Sequence, residues 1–121
     1  MATKLLLVDD EPLVTEELQE ALEFEGYDVE TAQSVAEALE YCANAPVDLV
    51  VTDLKMPQAT GLDLIRALGG QTAPPHIIVL SGHGAESNRA EAMALGAVEC
   101  FAKPVDPDDL VKKIQEVLPF Q

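Results

Sequence analysis

The fold of this chain is set by one stretch, Val50-Val51-Thr52-Asp53-Leu54-Lys55-Met56-Pro57. An apolar run that begins at Val47 leads into a single acid, Asp53, and then Pro57 and Gly61 end the strand. An isolated aspartate in such a place most often caps a turn. An ionised carboxylate at the end of a buried strand is costly, however, unless a local group needs its charge. The stretch therefore predicts a central buried strand from Val47 to Asp53, with Asp53 as a candidate functional residue.

Composition bounds the class of protein. The chain has 121 residues, of which 48% are hydrophobic, so we expect one domain with a core over residues 1–121. The formal net charge of −15 argues against direct binding of nucleic acid or of an anionic membrane, and favours basic partners or a divalent cation. Neither a membrane-length apolar run nor a signal-peptide pattern is found, so a cytoplasmic protein is expected. Cys42 and Cys100 fit no metal spacing and are expected to be reduced thiols.

Short apolar runs alternate with amphipathic segments along the chain. The runs predict five strands: Lys4 to Val8, Tyr27 to Ala32, Val47 to Asp53, His76 to Leu80 and Ala97 to Ala102. Helices are predicted from Pro12 to before Gly26, from Ser34 to about Ala45, from Leu62 to Leu68, from about Glu86 to Leu95, and from Asp106 to about Leu118. Strand–helix pairs in this order predict an α/β fold with a parallel sheet covered by helices on both faces.

Most of the predicted strands end in a charged or reactive group, namely Asp9-Asp10, Asp53, Ser81 and Lys103. The second strand ends in Ala32-Gln33-Ser34 and offers nothing comparable. This asymmetry favours the strand order 2-1-3-4-5, in which the first and third strands are neighbours. Because ligands of such sheets bind beyond the carboxyl ends of the strands, Asp9, Asp10 and Asp53 are expected to share one pocket.

Three crowded carboxylates repel one another unless a cation lies among them. Mg²⁺ is the natural occupant, because it takes few carboxylates and keeps waters and phosphate oxygens as its other ligands. A carboxylate beside Mg²⁺ can accept a phosphoryl group, which here would give an aspartyl phosphate at Asp53. Lys103 can neutralise one phosphoryl oxygen and the Ser81 hydroxyl can donate to another. A cis bond before Pro104 is affordable and would aim Lys103 inward.

Several short motifs occur together in this sequence: Val8-Asp9-Asp10-Glu11-Pro12, Asp53-Leu54-Lys55-Met56-Pro57 with Gly61, Ser81-Gly82, Gly96-Ala97 and Lys103-Pro104. Together they resemble the receiver domain of two-component response regulators over nearly the whole chain. The resemblance implies a flavodoxin-like (βα)5 fold and transfer of a phosphoryl group from a histidine kinase, or from a phosphotransfer protein, to Asp53. It also implies a change of conformation that signals to an output domain or a partner. Such a domain is a signalling phosphoacceptor that catalyses only its own phosphorylation and slow dephosphorylation.

The resemblance further implies a metal site. Asp10 and Asp53 would bind Mg²⁺, or Mn²⁺ in its place, directly and together with the backbone carbonyl of Lys55. Asp9 would assist through water.

The resemblance assigns roles around the phosphoryl group as well. Ser81 and Lys103 would hold it, while the positions of Lys55 and His83 would tune how fast it is lost. A partner or a second copy would read the face made by the fourth helix, the fifth strand and the last helix.

One position departs from the pattern of the family. The family carries Tyr or Phe three residues before its lysine, and this aromatic works as a switch together with the residue at the position of Ser81. Three residues before Lys103, this chain has Cys100. Phe101 is adjacent, but the alternation of a strand places it on the opposite face. Either the switch works without an aromatic here, or the register of the strand shifts locally. If Cys100 holds the switch position, we expect the fourth helix to carry more of the conformational change itself.

Three other classes of protein agree less well with these residues. A phosphatase of the haloacid-dehalogenase type requires Asp-x-Asp after the first strand, whereas the acids here are consecutive. A flavodoxin requires a Ser/Thr/Gly phosphate loop there and aromatic residues for stacking, and this chain has two Tyr and no Trp. A degenerate receiver that acts only as an interaction module is disfavoured because all five site residues are retained.

Overall fold

A computed structural model describes residues 3–54, 60–70, 74–82 and 85–118, except for the side chains of 85–88. Within these ranges, five strands and five helices alternate along the chain. The strands are β1 (Lys4–Val8), β2 (Asp28–Ala32), β3 (Leu49–Asp53), β4 (His76–Ser81) and β5 (Glu99–Ala102). The helices are α1 (Pro12–Phe24), α2 (Val35–Asn44), α3 (Gly61–Gly69), α4 (Ala85–Leu95) and α5 (Pro107–Val117). No helix in the described part of the chain has the length and apolar character needed to cross a membrane.

The strands form one parallel sheet in the order β2-β1-β3-β4-β5, which confirms the predicted α/β fold and strand order. The register aligns the carboxyl ends of β1, β3, β4 and β5. Val8 pairs with Thr52, Asp53 pairs with Leu80, and Ser81 pairs with Ala102. The residues that follow β1 and β5 therefore emerge at the same edge of the sheet as the end of β3.

Apolar side chains fill both sides of the sheet. One layer packs the sheet against α2, α3 and α4, and the other packs it against α1 and α5. Strand alternation divides the residues between the layers, since Leu6 belongs to the first while Leu5 and Leu7 belong to the second. All residues of β3 are buried, as expected for the central strand of a sheet covered on both faces. The core thus fixes β3, and with it Asp53, at the centre of the molecule.

Side-chain caps begin three of the described helices, α2, α3 and α5, and at α5 the Asp106 carboxylate accepts from the Asp108 N–H, as predicted. Ser34 accepts a hydrogen bond from the Glu37 N–H at the start of α2, as the predicted capping box requires, but the Glu37 carboxylate reaches the N–H of Gln33 at 3.4 Å. A complete capping box that was not predicted begins α3: the Thr60 side chain accepts from the Asp63 N–H, and the Asp63 carboxylate accepts from the Thr60 N–H. This box moves the start of α3 to Gly61, one residue before its predicted start.

Three strands begin one or two residues after their predicted starts, which were Tyr27 for β2, Val47 for β3 and Ala97 for β5. The N–H of Tyr27 donates to the Leu22 carbonyl and the N–H of Ala97 donates to the Ala92 carbonyl, at 3.2 and 3.0 Å. Each residue thus closes the preceding helix, after a glycine with positive φ, instead of opening a strand. Val47 precedes the first residue that pairs with β1.

Candidate functional site

The carboxyl edge of the sheet brings together the residues that the sequence singled out there. Asp9 and Asp10 follow β1, Asp53 ends β3, Ser81 ends β4, and Lys103 follows β5. Asp9, Asp53 and Ser81 are buried, whereas Asp10 is exposed. The edge is therefore a site with acidic, hydroxyl and cationic groups.

The three aspartates form one cluster. Each of Asp9, Asp10 and Asp53 offers a carboxylate oxygen, and these oxygens all lie within 4.8 Å of one another. The Asp9 carboxylate is held by the N–H of Glu11, which donates to its Oδ1 at 2.9 Å. The predicted shared pocket is thus present, and its oxygen donors are of the kind that Mg²⁺ prefers.

Lys103 places an ammonium group against two of these acids. Its Nζ donates to Oδ2 of Asp53 at 2.9 Å and to Oδ2 of Asp9 at 3.1 Å. Burial lowers the pKa of Lys103, but its hydrogen bonds to Asp53 and Asp9 outweigh burial, and the pKa is raised above its usual value. Lys103 is therefore an ammonium ion at neutral pH.

The backbone at Lys103 joins the neighbouring strand. The Lys103–Pro104 peptide bond is cis, as the sequence analysis anticipated. The N–H of Lys103 donates to the Ser81 carbonyl at 2.8 Å. This bond continues the pairing of β5 with β4 and fixes the position of the Lys103 backbone.

The Ser81 side chain is a buried hydroxyl in a polar site. The residue is 1% exposed, and its Oγ has no hydrogen-bond partner within the described ranges. An unsatisfied buried hydroxyl costs about 1–3 kcal/mol, so such groups ordinarily have a partner. Its place beside the acidic cluster makes Ser81 a candidate donor to a ligand oxygen.

The peptide that follows Asp53 has contacts that the sequence analysis did not anticipate. The Thr52 hydroxyl donates to the Asp53 carbonyl at 2.9 Å, and Thr52 is fully buried. A Cβ on Gly61 would lie 2.6 Å from the same carbonyl oxygen. The signal in the sequence was a hydroxyl residue within an otherwise apolar strand. The backbone carbonyl of Lys55, predicted as a metal ligand, and the predicted tuning positions Lys55 and His83 lie outside the described residues.

The predicted switch position, Cys100, lies in the layer between the sheet and α4, and it is 6% exposed. Phe101 packs in the opposite layer, which confirms the expected alternation along the strand. The Cys100 carbonyl accepts a hydrogen bond from Nη1 of Arg89 at 2.7 Å, and Arg89 also forms an ion pair with Glu99. Edge strand β5 is therefore bound to α4 by the Arg89 side chain, which was not predicted as part of the site.

Fold and site together define a class: a parallel α/β domain with an acidic cluster and a lysine at the carboxyl edge of its sheet. Residues 5–115 match the family described as the response regulator receiver domain. The chain is 38% identical to the acid tolerance regulatory protein ActR of Rhizobium meliloti, over 88% of this chain and 55% of that protein. It is 36% identical to the transcriptional regulatory protein CpxR of Escherichia coli, over 95% of this chain and 49% of that protein.

Solved structures that resemble this chain include proteins of the same kind. The chemotaxis response regulator CheY4 of Vibrio cholerae superposes with a TM-score of 0.89 at 32% identity, covering 98% of this chain and 100% of that one. A receiver domain protein from Clostridium thermocellum gives a TM-score of 0.89 at 36% identity, covering 96% of this chain and 94% of that one. The chain belongs to the response regulator receiver domain family. It spans about half the length of the curated relatives it matches.

Proposed function

We propose that Asp53 accepts a phosphoryl group from a histidine kinase or a phosphotransfer protein, in a reaction that requires Mg²⁺. The observation that carries the proposal is the environment of the Asp53 carboxylate. It lies at the end of the central strand, 2.9 Å from the Lys103 ammonium, with carboxylate oxygens of Asp9 and Asp10 within 4.8 Å. A nucleophile, a cation and metal-binding oxygens therefore share one edge of the sheet.

The acids fit a divalent cation. Asp10 is exposed and can present its oxygens to an arriving ion, while Asp53 lies deeper in the same cluster. Asp9 is held by the N–H of Glu11 and by Lys103, which suits a supporting role through water. When bound, Mg²⁺ would neutralise charge on the phosphoryl oxygens and orient them.

The chemistry is a displacement at phosphorus. An oxygen of Asp53 forms the new P–O bond as the P–N bond to the donor histidine breaks, and the electron pair of that bond remains on the imidazole. Lys103 remains close enough to neutralise one phosphoryl oxygen, and the Ser81 hydroxyl gains an acceptor in another. The incoming group would thus supply the hydrogen bond that the Ser81 side chain does not make within the described residues.

A groove next to the site suits the approach of a donor protein. It has a volume of about 590 Å³ and runs between α1 and the connection from β5 to α5. Val14, Leu18 and Val105 contribute apolar surface, and Lys103 belongs to its lining. We propose that the phosphohistidine reaches Asp53 from this side, because Lys103 joins the groove to the Asp53 carboxylate.

Phosphorylation is tested with acetyl phosphate and Mg²⁺, read as a mass increase and by its loss in base. We expect one phosphoryl group on the wild-type chain and none on Asp53→Asn. Asp109→Asn, which changes an exposed acid in the first turn of α5, is the matched control and should be modified like the wild type. Equal modification of Asp53→Asn would show that another residue is the nucleophile, and an unmodified wild-type chain would refute the proposed function.

We further propose that the signal leaves through the face made by α4, β5 and α5, toward an output domain, a partner or a second copy. The curated relatives are longer than this chain, which is compatible with output by an attached domain. Size-exclusion chromatography with and without beryllofluoride tests the second copy. A shift toward the dimer with beryllofluoride supports self-association, and an unchanged elution volume directs the search to a different partner.

A further inference from the structure

Thr52 is a polar residue in the central strand of the sheet, where every residue is buried. It lies in the central strand beside Val50 and Val51 and is fully buried. A valine has nearly the same shape and does not carry the cost of a buried hydroxyl. The hydroxyl must therefore make a hydrogen bond, and the acceptor is the Asp53 carbonyl, at 2.9 Å.

The ladder between β1 and β3 ends next to this bond. Val8 pairs with Thr52 in the last pair of the ladder, and Asp53 lies one residue beyond it. On the other side, the N–H of Leu54 donates to the Leu80 carbonyl at 3.0 Å. The peptide after Asp53 is thus held by β4 on one side, while the Thr52 hydroxyl binds it where the pairing with β1 has stopped.

The start of α3 lies against the same stretch of backbone from outside the sheet and binds the next peptide. The N–H of Gly61 donates to the Leu54 carbonyl at 2.9 Å. A Cβ on Gly61 would lie 2.6 Å from the Asp53 carbonyl oxygen and 3.1 Å from Cα of Leu54. The Thr52 hydroxyl and the start of α3 therefore both act on the backbone that carries the Asp53 carboxylate.

We propose that Thr52 is a positioning residue for the phosphoacceptor: its hydroxyl fixes the peptide that follows Asp53, and so aims the carboxylate at the incoming phosphorus. The inference rests on the proposed function of Asp53. Displacement at phosphorus requires the attacking oxygen in line with the leaving group, and a misplacement of about 1 Å can cost about 100-fold in rate. Thr52 does not touch the reacting atoms, and its effect passes through the backbone.

Three variants of Thr52 separate the hydroxyl from the rest of the side chain, and a variant of Thr15 is the control. Thr52→Val removes the hydroxyl and keeps the shape, and Thr52→Ser keeps the hydroxyl and loses the methyl group. Thr52→Ala is compared with Thr52→Ser, because both lack the methyl group. Thr15→Val is the control, since the buried Thr15 hydroxyl also donates to a backbone carbonyl, that of Pro12, at 2.9 Å.

The readouts are the rate constant of phosphorylation by acetyl phosphate at saturating Mg²⁺ and the melting temperature. We expect Thr52→Val to phosphorylate about tenfold more slowly, as the loss of one net hydrogen bond to the positioned group would give, and to melt only slightly below the wild type, because the side chain keeps its shape. Thr52→Ser should stay within about twofold of the wild-type rate, while Thr52→Ala should be slow. Thr15→Val should keep the wild-type rate.

Two results would overturn the inference: a folded Thr52→Val that reacts at the wild-type rate, or a Thr52→Ser as slow as Thr52→Val. If Thr52→Val does not fold, the comparison of Thr52→Ser with Thr52→Ala decides, and equal rates for that pair refute the role. Failure of the proposed function is a separate result, in which the wild-type chain itself gains no phosphoryl group.

Discussion

Replacing Lys103 by methionine removes the ammonium from the acidic cluster and keeps a long unbranched side chain. Asp9 and Asp53 would then lose a cation that hydrogen-bonds to both of them. We expect the variant to be less stable than the wild type without Mg²⁺, and to recover stability when Mg²⁺ is added.

The size of the loss follows from the burial of the partners. Both carboxylates are nearly buried, but the Lys103 side chain is 23% exposed and so is partly screened by solvent. Breaking a buried ion pair costs about 3–5 kcal/mol and breaking an exposed one costs about 0–1, so an intermediate loss of about 2 kcal/mol is expected. For a domain of this size, that loss lowers the melting temperature by about 8 °C.

Mg²⁺ supplies positive charge to the same oxygens, so it should stabilise Lys103→Met more than it stabilises the wild type. Thermal denaturation followed by circular dichroism, in chelator and in millimolar MgCl₂, measures both effects. Lys112→Met, which removes an exposed lysine from α5, controls for the change in net charge. Equal melting temperatures of Lys103→Met and the wild type in chelator would contradict this role of the Lys103 ammonium. An equal rise of the two melting temperatures with Mg²⁺ would contradict it as well.

Three further predictions concern packing and the edge strand. Burial raises the pKa of Glu99, but its hydrogen bonds from the Cys100 N–H and from Arg89 outweigh burial and lower the pKa. Its stabilising effect is therefore fully present above the ordinary pKa of a glutamate and is lost as the pH falls through the lowered pKa. Glu99→Gln should therefore weaken the acid dependence of the free energy of unfolding, measured in urea between neutral pH and pH about 3. Gly61→Ala should cost about 1–3 kcal/mol in the same assay, because its Cβ would meet backbone, whereas Gly69→Ala, with no atom within 4 Å, should be neutral or stabilising. Arg89→Gln should speed amide exchange in α4, while Arg66→Gln, which loses only exposed ion pairs, should leave it unchanged.

Much of the fold could be predicted from the sequence because the strands are short apolar runs with turn signals on both sides. The bounds of β1 were predicted without error, since Lys4 to Val8 is followed at once by two acids. The starts of β2 and β5 were placed too early, because Tyr27 and Ala97 are apolar and yet bond back to the preceding helix. Hydrophobicity alone does not distinguish a residue that closes a helix from one that opens a strand.

The composition of the site was predictable for a topological reason. Parallel strands place their carboxyl ends at one edge, so acids after β1 and β3 meet once those strands are known to be neighbours. The bond from Thr52 to the Asp53 carbonyl was not predictable, because a hydroxyl in a strand has several acceptors within reach. The bond from Arg89 to the Cys100 carbonyl depends on how α4 lies against β5, which the spacing of residues does not determine.

A thiol at position 100 changes what can couple the edge strand to α4. An aromatic side chain couples by filling or leaving space, whereas Cys100 is small and already buried against that layer. The backbone is coupled at both ends of β5, since the Lys103 N–H binds the Ser81 carbonyl and the Cys100 carbonyl binds Arg89 of α4. If Ser81 moves toward a phosphoryl group on Asp53, the displacement can pass along β5 to α4 through these two bonds without a moving ring. Amide exchange of α4 with and without beryllofluoride, in the wild type and in Arg89→Gln, decides whether it does, because only the wild type should then show a change in α4.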